Sequence, residues 1–142
     1  MTIETYLPFS QIRAGEGELY QDKLERVLNA QSKQVILPPI LVREILPHTY
    51  VILDGQHRAV TQLIKGASTT PCIIAQTQYD KITALQGFSE AQVDILNSYI
   101  EFRWDEAKTY AIAHPNTFAQ HVTQLQHRYS AMITNAFAAQ ED

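Results

Sequence analysis

Apolar residues recur at helical spacing in two stretches of the first half of the chain. The first stretch runs from Leu19 to about Gln31, and charged residues occupy the positions between its apolar ones. The second begins directly after Gly55 and ends near Gly66, a residue placed to terminate a helix. We therefore predict two amphipathic helices, with apolar stripes formed by Leu19, Leu24, Val27 and Leu28 and by Ala59, Val60, Leu63 and Ile64.

Three short apolar runs are typical of buried strands, two of them between these helices and one after the second helix. They comprise Ile40 to Val42, Tyr50 to Leu53, and Pro71 to Ala75. The second run is predicted to be a central strand that stops at Asp54-Gly55, preceded by a turn at Pro47 to Thr49. Residues Tyr6 to Ile12 are expected to form a short extended segment. The predicted element order is helix, strand, strand, helix, strand.

Beyond Gln76 the pattern changes to long helical stretches. Ser89 and Gln92 have the spacing of a capping box, which predicts a helix that continues to about Ala113. A break follows at residues 114–116, and a last helix is predicted from about Thr117 to Ala138. We expect residues 1–79 to form the core of a small α+β domain and residues 80–142 to form an acidic helical extension packed on that core.

Length and charge restrict the classes of protein to which this chain can belong. Its 142 residues suffice for one ordinary core but hardly for two independent domains. Lys and Arg number 11 against 15 Asp and Glu, and eight of the acidic residues follow Tyr79, so duplex DNA is not an expected partner. A single cysteine, no signal-peptide pattern and no long apolar run lead us to expect a cytoplasmic protein that does not span a membrane.

The segment best suited to chemistry is Asp54-Gly55-Gln56-His57-Arg58. It joins a strand directly to a helix, so the helix's first N–H groups and the positive end of its dipole face the turn. Two side chains that can carry positive charge, His57 and Arg58, are unfavourable there unless an anion such as phosphate binds. Asp54 is expected either to cap the helix or to help hold a Mg²⁺ that accompanies the phosphates. The alternative is an ordinary Asp-Gly turn with solvated side chains.

This turn and the elements around it resemble the ParB N-terminal and sulfiredoxin superfamily. The resemblance covers about residues 6–79 and rests on Pro38 to Val42, Tyr50 to Leu53, the turn at residues 54–58 and Pro71 to Ala75. It implies a small mixed β-sheet with helices. It also implies that nucleotide phosphates bind at the turn, to Gly55, Gln56, His57 and Arg58, and that Lys23 near the start of the first helix reaches the nucleotide.

Members of this superfamily use the nucleotide in different ways. Sulfiredoxins have a cysteine at the position of Gln56, and because Gln is no nucleophile we do not expect repair of sulfinic acids. ParB proteins bind CTP and continue into basic DNA-binding helices, whereas the continuation here is acidic. Nucleotide-dependent kinases of free serine are similar in having Asp-Gly-X-His-Arg and an early acidic residue that acts as base. Glu16 and Glu18 are the candidates for that base.

The predicted function is nucleotide binding, and two hypotheses on activity stay open. The first is a phosphotransferase or NTPase that uses ATP, ADP or CTP with Mg²⁺. Its catalytic residues would be Glu16 or Glu18, together with Asp54 and His57, and a small hydroxyl-bearing compound would be the acceptor. The second is a nucleotide-responsive binding module without catalysis, which contacts a partner or forms a homodimer. This second class includes a ParB-like role in DNA partitioning or regulation.

Overall fold

A computed structural model describes residues 2–33, 37–83, 87–128, 130–131 and 134–135. Five strands of this part form one mixed sheet: β1 (Thr2–Pro8), β2 (Ile12–Arg13), β3 (Ile40–Leu46), β4 (Thr49–Asp54) and β5 (Thr69–Ala75). Its α-helices are α1 (Gln21–Ser32), α2 (Gln56–Ile64), α3 (Glu90–Ala113) and α4 (Phe118–Arg128). The expected α+β class, with a mixed sheet and a helical C-terminal part, is confirmed.

The sheet has the strand order β1-β5-β3-β4-β2. The β5–β3 and β4–β2 pairs are parallel, and the β1–β5 and β3–β4 pairs are antiparallel. The β3–β4 hairpin turns at Pro47-His48, where His48 has a φ of 56°. β4 is internal, as predicted, but β3 occupies the middle of the sheet, because the two-residue β2 is the only described strand outside β4.

The prediction of one extended segment from Tyr6 to Ile12 is wrong. β1 begins at Thr2, a 3₁₀ turn at Phe9–Gln11 interrupts the chain, and β2 follows. β1 pairs with β5 from Thr2 opposite Ala75 to Pro8 opposite Thr69, with Ile3 and Tyr6 exposed on this edge strand. Backbone hydrogen bonds to β5, rather than an apolar run, hold β1 in place, so apolar patterning does not reveal it.

The sheet separates two apolar cores. Ile40, Val42 and Ile52 face α1, α2 and α4, whereas Leu41, Val51 and Leu53 face α3. This alternation follows the two-residue period of a strand. The helix α3 contributes Ile100, Ala107 and Ala111 to the second core. One layer of sheet therefore lies between two layers of helix, and α3 alone supplies the helical residues of the second core among those described.

The capping box predicted for α3 is confirmed. Ser89 Oγ accepts a hydrogen bond from the Gln92 backbone at 3.3 Å, and Gln92 Oε1 accepts one from the Ser89 backbone at 2.8 Å. The helix ends at Ala113, also as predicted. The predicted end of the last helix, at Ala138, lies outside the described residues. The domain boundary at residue 79 stays a prediction. Within the described ranges, no helix combines the length and the apolar character needed to cross a membrane.

Candidate functional site at the start of helix α2

β4 passes into α2 through Gly55, which is the N-cap residue of the helix. Its φ of 100° lies in the left-handed region that favours glycine. A Cβ atom at this position would lie 2.7 Å from Arg58 Nη2 and 2.8 Å from Ile40 Cγ2. Both the backbone conformation and the available space therefore require glycine.

The alternative in which Asp54 caps α2 is wrong. Gly55 and not Asp54 occupies the cap position, and among the described residues this helix has no side-chain capping hydrogen bond. Asp54 instead pairs with Arg58, with 3.4 Å between Oδ2 and Nη2. The carboxylate therefore orients a cation beside the turn.

A cavity of about 290 Å³ lies at this end of the sheet. This volume is close to the lower limit for small-molecule sites, roughly 300 Å³. The cavity's charged lining residues are Glu16, Lys23, Arg26, Asp54, Arg58 and Arg103. Four cations thus face two carboxylates in a chain whose formal net charge is −4. Such a local excess of positive charge favours an anion.

The guanidinium of Arg58 is only partly used by the protein. Its Nη2 donates to the Pro39 carbonyl at 3.1 Å and to Asp54 at 3.4 Å. Its Nε is buried and has no hydrogen-bond partner within the described part of the chain. Because a guanidinium has five N–H donors, Arg58 keeps donating capacity next to a helix N-terminus.

Arg103, which extends from α3, is a cavity residue that the sequence analysis missed. One nitrogen donates to the Gly15 carbonyl, and Nη1 pairs with Glu106 Oε1 at 2.9 Å. The available signal was its position in line with Ile100, Ala107 and Ala111, because a charge on the buried stripe of a helix needs a partner. Tyr99, one turn earlier on α3, also lines the cavity and was also missed.

His57 is buried and neutral. Its Nε2 accepts a hydrogen bond from the backbone N–H of Tyr20 at 2.9 Å, an interaction that assigns the ring proton to Nδ1. Burial, followed by the nearby Lys23, lowers the pKa of His57 from 6.5 to about 4. His57 therefore does not add a second positive charge beside Arg58, contrary to the expectation. Hydrogen bonding by its neutral ring stays a prediction.

Gln56 holds the loop before α1 against the site. Its Nε2 donates to the carbonyl oxygens of Glu16 at 2.9 Å and Glu18 at 3.5 Å. The amide nitrogen is the group with which Gln56 would donate to a phosphate, and it is already engaged. The phosphate-binding role of Gln56 stays a prediction, and the geometry favours positioning of the loop.

The two early glutamates occupy different environments. Glu16 lines the cavity and is half-buried, and this burial raises its pKa even though Arg103 and Lys23 act in the opposite direction. Glu18 is exposed and is absent from the described lining of the cavity. The structure therefore brings Glu16, Lys23 and residues 54–58 to one cavity, but not the side chain of Glu18.

A comparison with protein families matches more than half of the chain. A family model described as the ParB N-terminal domain matches residues 3–91. The chain belongs to the ParB N-terminal domain family. The matched region of this family member contains the complete turn from Asp54 to Arg58 but ends before Arg103. No curated protein matches the chain.

Several solved structures are similar to this member of the ParB N-terminal family. Sulfiredoxin from Arabidopsis thaliana is 24% identical, with a TM-score of 0.44, over 53% of this chain and 86% of that chain. A conserved hypothetical protein from Pyrococcus furiosus is 24% identical, with a TM-score of 0.48, over 55% of this chain and 34% of that one.

A third similar structure is the C-terminally truncated chromosome-partitioning protein ParB from Caulobacter crescentus, complexed with CTP-gamma-S. It is 18% identical, with a TM-score of 0.43, over 66% of this chain and 49% of that one. The chain thus spans about half of this ParB and about a third of the Pyrococcus protein.

Proposed function

We propose that this chain binds a nucleoside di- or triphosphate, with the phosphates at the N-terminus of α2. The observation that carries the proposal is the cavity at this helix start, which four cations line and where Arg58 keeps a buried N–H without a partner among the described residues. Membership in the ParB N-terminal family supports it, since the family match includes the turn. The resemblance to nucleotide-binding members of the superfamily points to a nucleotide rather than to inorganic phosphate alone.

The lining residues suit distinct parts of a phosphate chain. Arg58 and the first N–H groups of α2 would hold one phosphate, which Gly55 allows to approach the backbone. Lys23 and Arg26 are exposed on α1 and would neutralise phosphates further out. His57, with a neutral ring, would donate a hydrogen bond from Nδ1. Its low pKa makes it a poor source of a proton at neutral pH.

The carboxylates fit a magnesium ion that arrives with a nucleotide. Asp54 and Glu16 line the same cavity, and Mg²⁺ is often held by one or two carboxylates together with substrate phosphates. The described residues hold no group of three or more His, Cys, Asp or Glu side chains that would bind a metal ion independently. Asp54 is therefore proposed as the Mg²⁺ ligand, in a site completed by the phosphates.

In the catalytic form of the proposal, the acceptor is a small hydroxyl-bearing compound. A bound nucleoside triphosphate would transfer its terminal phosphoryl group to the acceptor oxygen and leave as the nucleoside diphosphate, and Mg²⁺ would reduce the negative charge of the phosphates. Glu16 would remove the proton of the hydroxyl, because it lies at the cavity and a raised pKa makes a carboxylate a better base. The cations would orient the phosphates, while Tyr99 and Arg103 would limit access of water from the side of α3.

A thermal-shift panel of ATP, ADP, CTP and GTP, with and without Mg²⁺, tests the proposal directly. A ligand that binds only the folded chain raises its apparent stability. In calorimetric titrations, Arg58→Ala is expected to reduce affinity roughly 10- to 100-fold, the effect of losing one charged phosphate contact. Lys65→Ala, at the exposed opposite end of α2, is the matched control and should bind like the wild type. Unchanged affinity in Arg58→Ala would reject the site.

A second candidate function is a nucleotide-responsive binding module without catalysis. It is favoured by exposed apolar side chains on α3, where Ile95 and Phe102 are each 68% exposed, since exposed apolar surface often marks a contact with a partner or a second copy. Labelled phosphate on any hydroxyl compound would reject this candidate. Nucleotide-dependent dimerisation without such a product would support it.

A DNA-partitioning role is a variant of this second function. The C-terminally truncated Caulobacter crescentus ParB was also solved as a complex with the centromeric parS site, and this chain is 16% identical to that second structure over 84% of this chain and 64% of that one. The excess of acidic residues argues against such a partner here. Measuring DNA binding over a series of salt concentrations would test this role, because an affinity that depends on contacts to DNA phosphates falls steeply as the salt concentration rises.

A further inference from the structure

Arg103 reaches the site from a helix that lies largely outside the family match. The match ends at residue 91, whereas α3 runs from Glu90 to Ala113. Arg103 nevertheless lines the same cavity as Arg58, and its side chain is only 7% exposed. A part of the chain beyond the family match therefore supplies a buried cation to the proposed nucleotide site.

The protein does not use all the donors of this guanidinium. Arg103 bonds to the Gly15 carbonyl and pairs with Glu106, whose side chain is 55% exposed. Its Nε is buried without a partner in the described ranges, as is Nε of Arg58. A buried donor without an acceptor is unfavourable, and a half-exposed carboxylate compensates a buried charge only weakly. An anion in the cavity would supply an acceptor for the unpaired Nε and would compensate the buried charge of Arg103.

The two arginines lie on different walls of the cavity. Arg58 belongs to the first turn of α2 and lies beside Asp54, whereas Arg103 lies beside the Gly15 carbonyl and extends from α3. A single phosphate held at the α2 N-terminus would be bound by Arg58. A chain of two or three phosphates has further phosphate groups that a second guanidinium, from the other wall, can bind.

We propose that Arg103 is a second phosphate-binding residue and makes the cavity selective for nucleoside di- and triphosphates over monophosphates. This inference rests on the proposed function, because it assumes that a nucleotide binds here. On binding, the guanidinium would exchange its pair with Glu106 for the outer phosphates. α3 would then be tied to the sheet through the ligand as well as through the Gly15 carbonyl.

A purely structural role of Arg103 predicts a different outcome. If the residue only ties α3 to Gly15, its loss would destabilise the unliganded protein and weaken all nucleotides equally. A matched control exists in Arg43, which also ties α3 to the sheet: its Nη1 donates to the Trp104 carbonyl at 2.6 Å and its guanidinium lies over the Trp104 ring. Arg43 is absent from the described lining of the cavity.

The test compares triphosphate, diphosphate and monophosphate affinities by calorimetry, with Mg²⁺, in the adenosine and the cytidine series. Arg103→Met is expected to weaken the triphosphate roughly 10- to 100-fold and to leave the monophosphate nearly unchanged. Arg43→Met should keep the wild-type ratio of the two affinities. Glu106→Gln removes the competing carboxylate and should strengthen the triphosphate roughly 1.5- to 5-fold.

The outcomes separate this inference from the function on which it rests. If no nucleotide binds to the wild type, or if Arg58→Ala binds normally, the nucleotide site itself is rejected. If Arg58→Ala loses affinity but Arg103→Met keeps the wild-type ratio of triphosphate to monophosphate, only the role of Arg103 is rejected. Should Arg103→Met not fold, Arg103→Lys and Glu106→Gln decide, and an unchanged ratio in both overturns the inference.

Discussion

The imidazole Nε2 of His57 accepts a hydrogen bond from the backbone nitrogen of Tyr20 at 2.9 Å. Tyr20 is the N-cap residue of α1, and His57 lies in the first turn of α2, so the contact joins the N-termini of the two helices. The two rings also stack, with 6.0 Å between their centroids. The contact requires a neutral imidazole, because a protonated Nε2 has no lone pair to accept the bond.

This contact predicts that the protein loses stability in acid through His57. Its pKa is about 4 in the folded state and about 6.5 when exposed, so the unfolded chain binds the proton first as the pH falls. The contribution of neutral His57 to the free energy of unfolding is therefore fully present above about pH 6.5 and is lost progressively as the pH falls towards 4. The total loss is on the order of 3 kcal/mol, from 1.36 kcal/mol for each pKa unit.

His57→Gln isolates this effect, since a Gln oxygen can still accept from Tyr20 but does not titrate. Unfolding in urea should show the wild type losing more free energy than the variant between about pH 7 and about pH 4.5. Asp and Glu side chains also titrate in this pH range. Only the difference in unfolding free energy between the wild type and the variant therefore reports on His57. Parallel pH profiles would contradict the prediction.

Gly55→Ala is expected to destabilise the fold and weaken nucleotide binding. The φ of 100° is unfavourable for alanine, and the new Cβ would displace Arg58 Nη2 and press on Ile40. Gly66→Ala is the matched control, because Gly66 has a similar φ of 96° but no atom within 4 Å of an added Cβ. The control should lose only about 1–2 kcal/mol of unfolding free energy, because the alanine introduces backbone strain and no crowding.

Calorimetry and urea unfolding together check this pair of variants. Gly55→Ala should lose more unfolding free energy than Gly66→Ala, and it alone should lose nucleotide affinity. Equal losses of stability with equal affinities would mean that the crowding around Arg58 has no consequence.

Gln56→Met is expected to loosen the loop that carries Glu16. The variant keeps the bulk of the side chain but removes the donor to the Glu16 and Glu18 carbonyls, a change worth about 1–2 kcal/mol. Hydrogen exchange should become faster at residues 15–18. Gln62, on the same helix, has no hydrogen bond to that loop within the described part of the chain, so Gln62→Met should leave the exchange unchanged. Slow exchange in both variants would argue against a positioning role.

Ser89→Ala should destabilise the start of α3. It removes both the acceptor for Gln92 and the reciprocal geometry of the capping box, at a cost of about 0.5–2 kcal/mol. Ser98→Ala is the control within the same helix, where the hydroxyl bonds to the Asp94 carbonyl and alanine is a better helix former. Urea unfolding should show a loss for the first variant alone.

Elements with a strong local pattern were predictable from the sequence. α2 ends where Gly66 predicted, in a turn where the Gly66 and Ala67 N–H groups bond to the Leu63 and Gln62 carbonyls at 3.0 and 3.1 Å. The strands β3, β4 and β5 and the capping box of α3 were found for the same reason, since each depends on residues close together in the chain. The family resemblance then identified the turn between β4 and α2.

Only the tertiary structure decided which charges meet at that turn. Arg103 bonds to Gly15, 88 residues away in the sequence, and no local pattern connects them. His57 is neutral because packing buries it against α1, a condition that its own neighbours in the sequence do not reveal. Local sequence determines where a helix begins, whereas the pKa and the partners of its side chains depend on which surfaces the folded chain brings together.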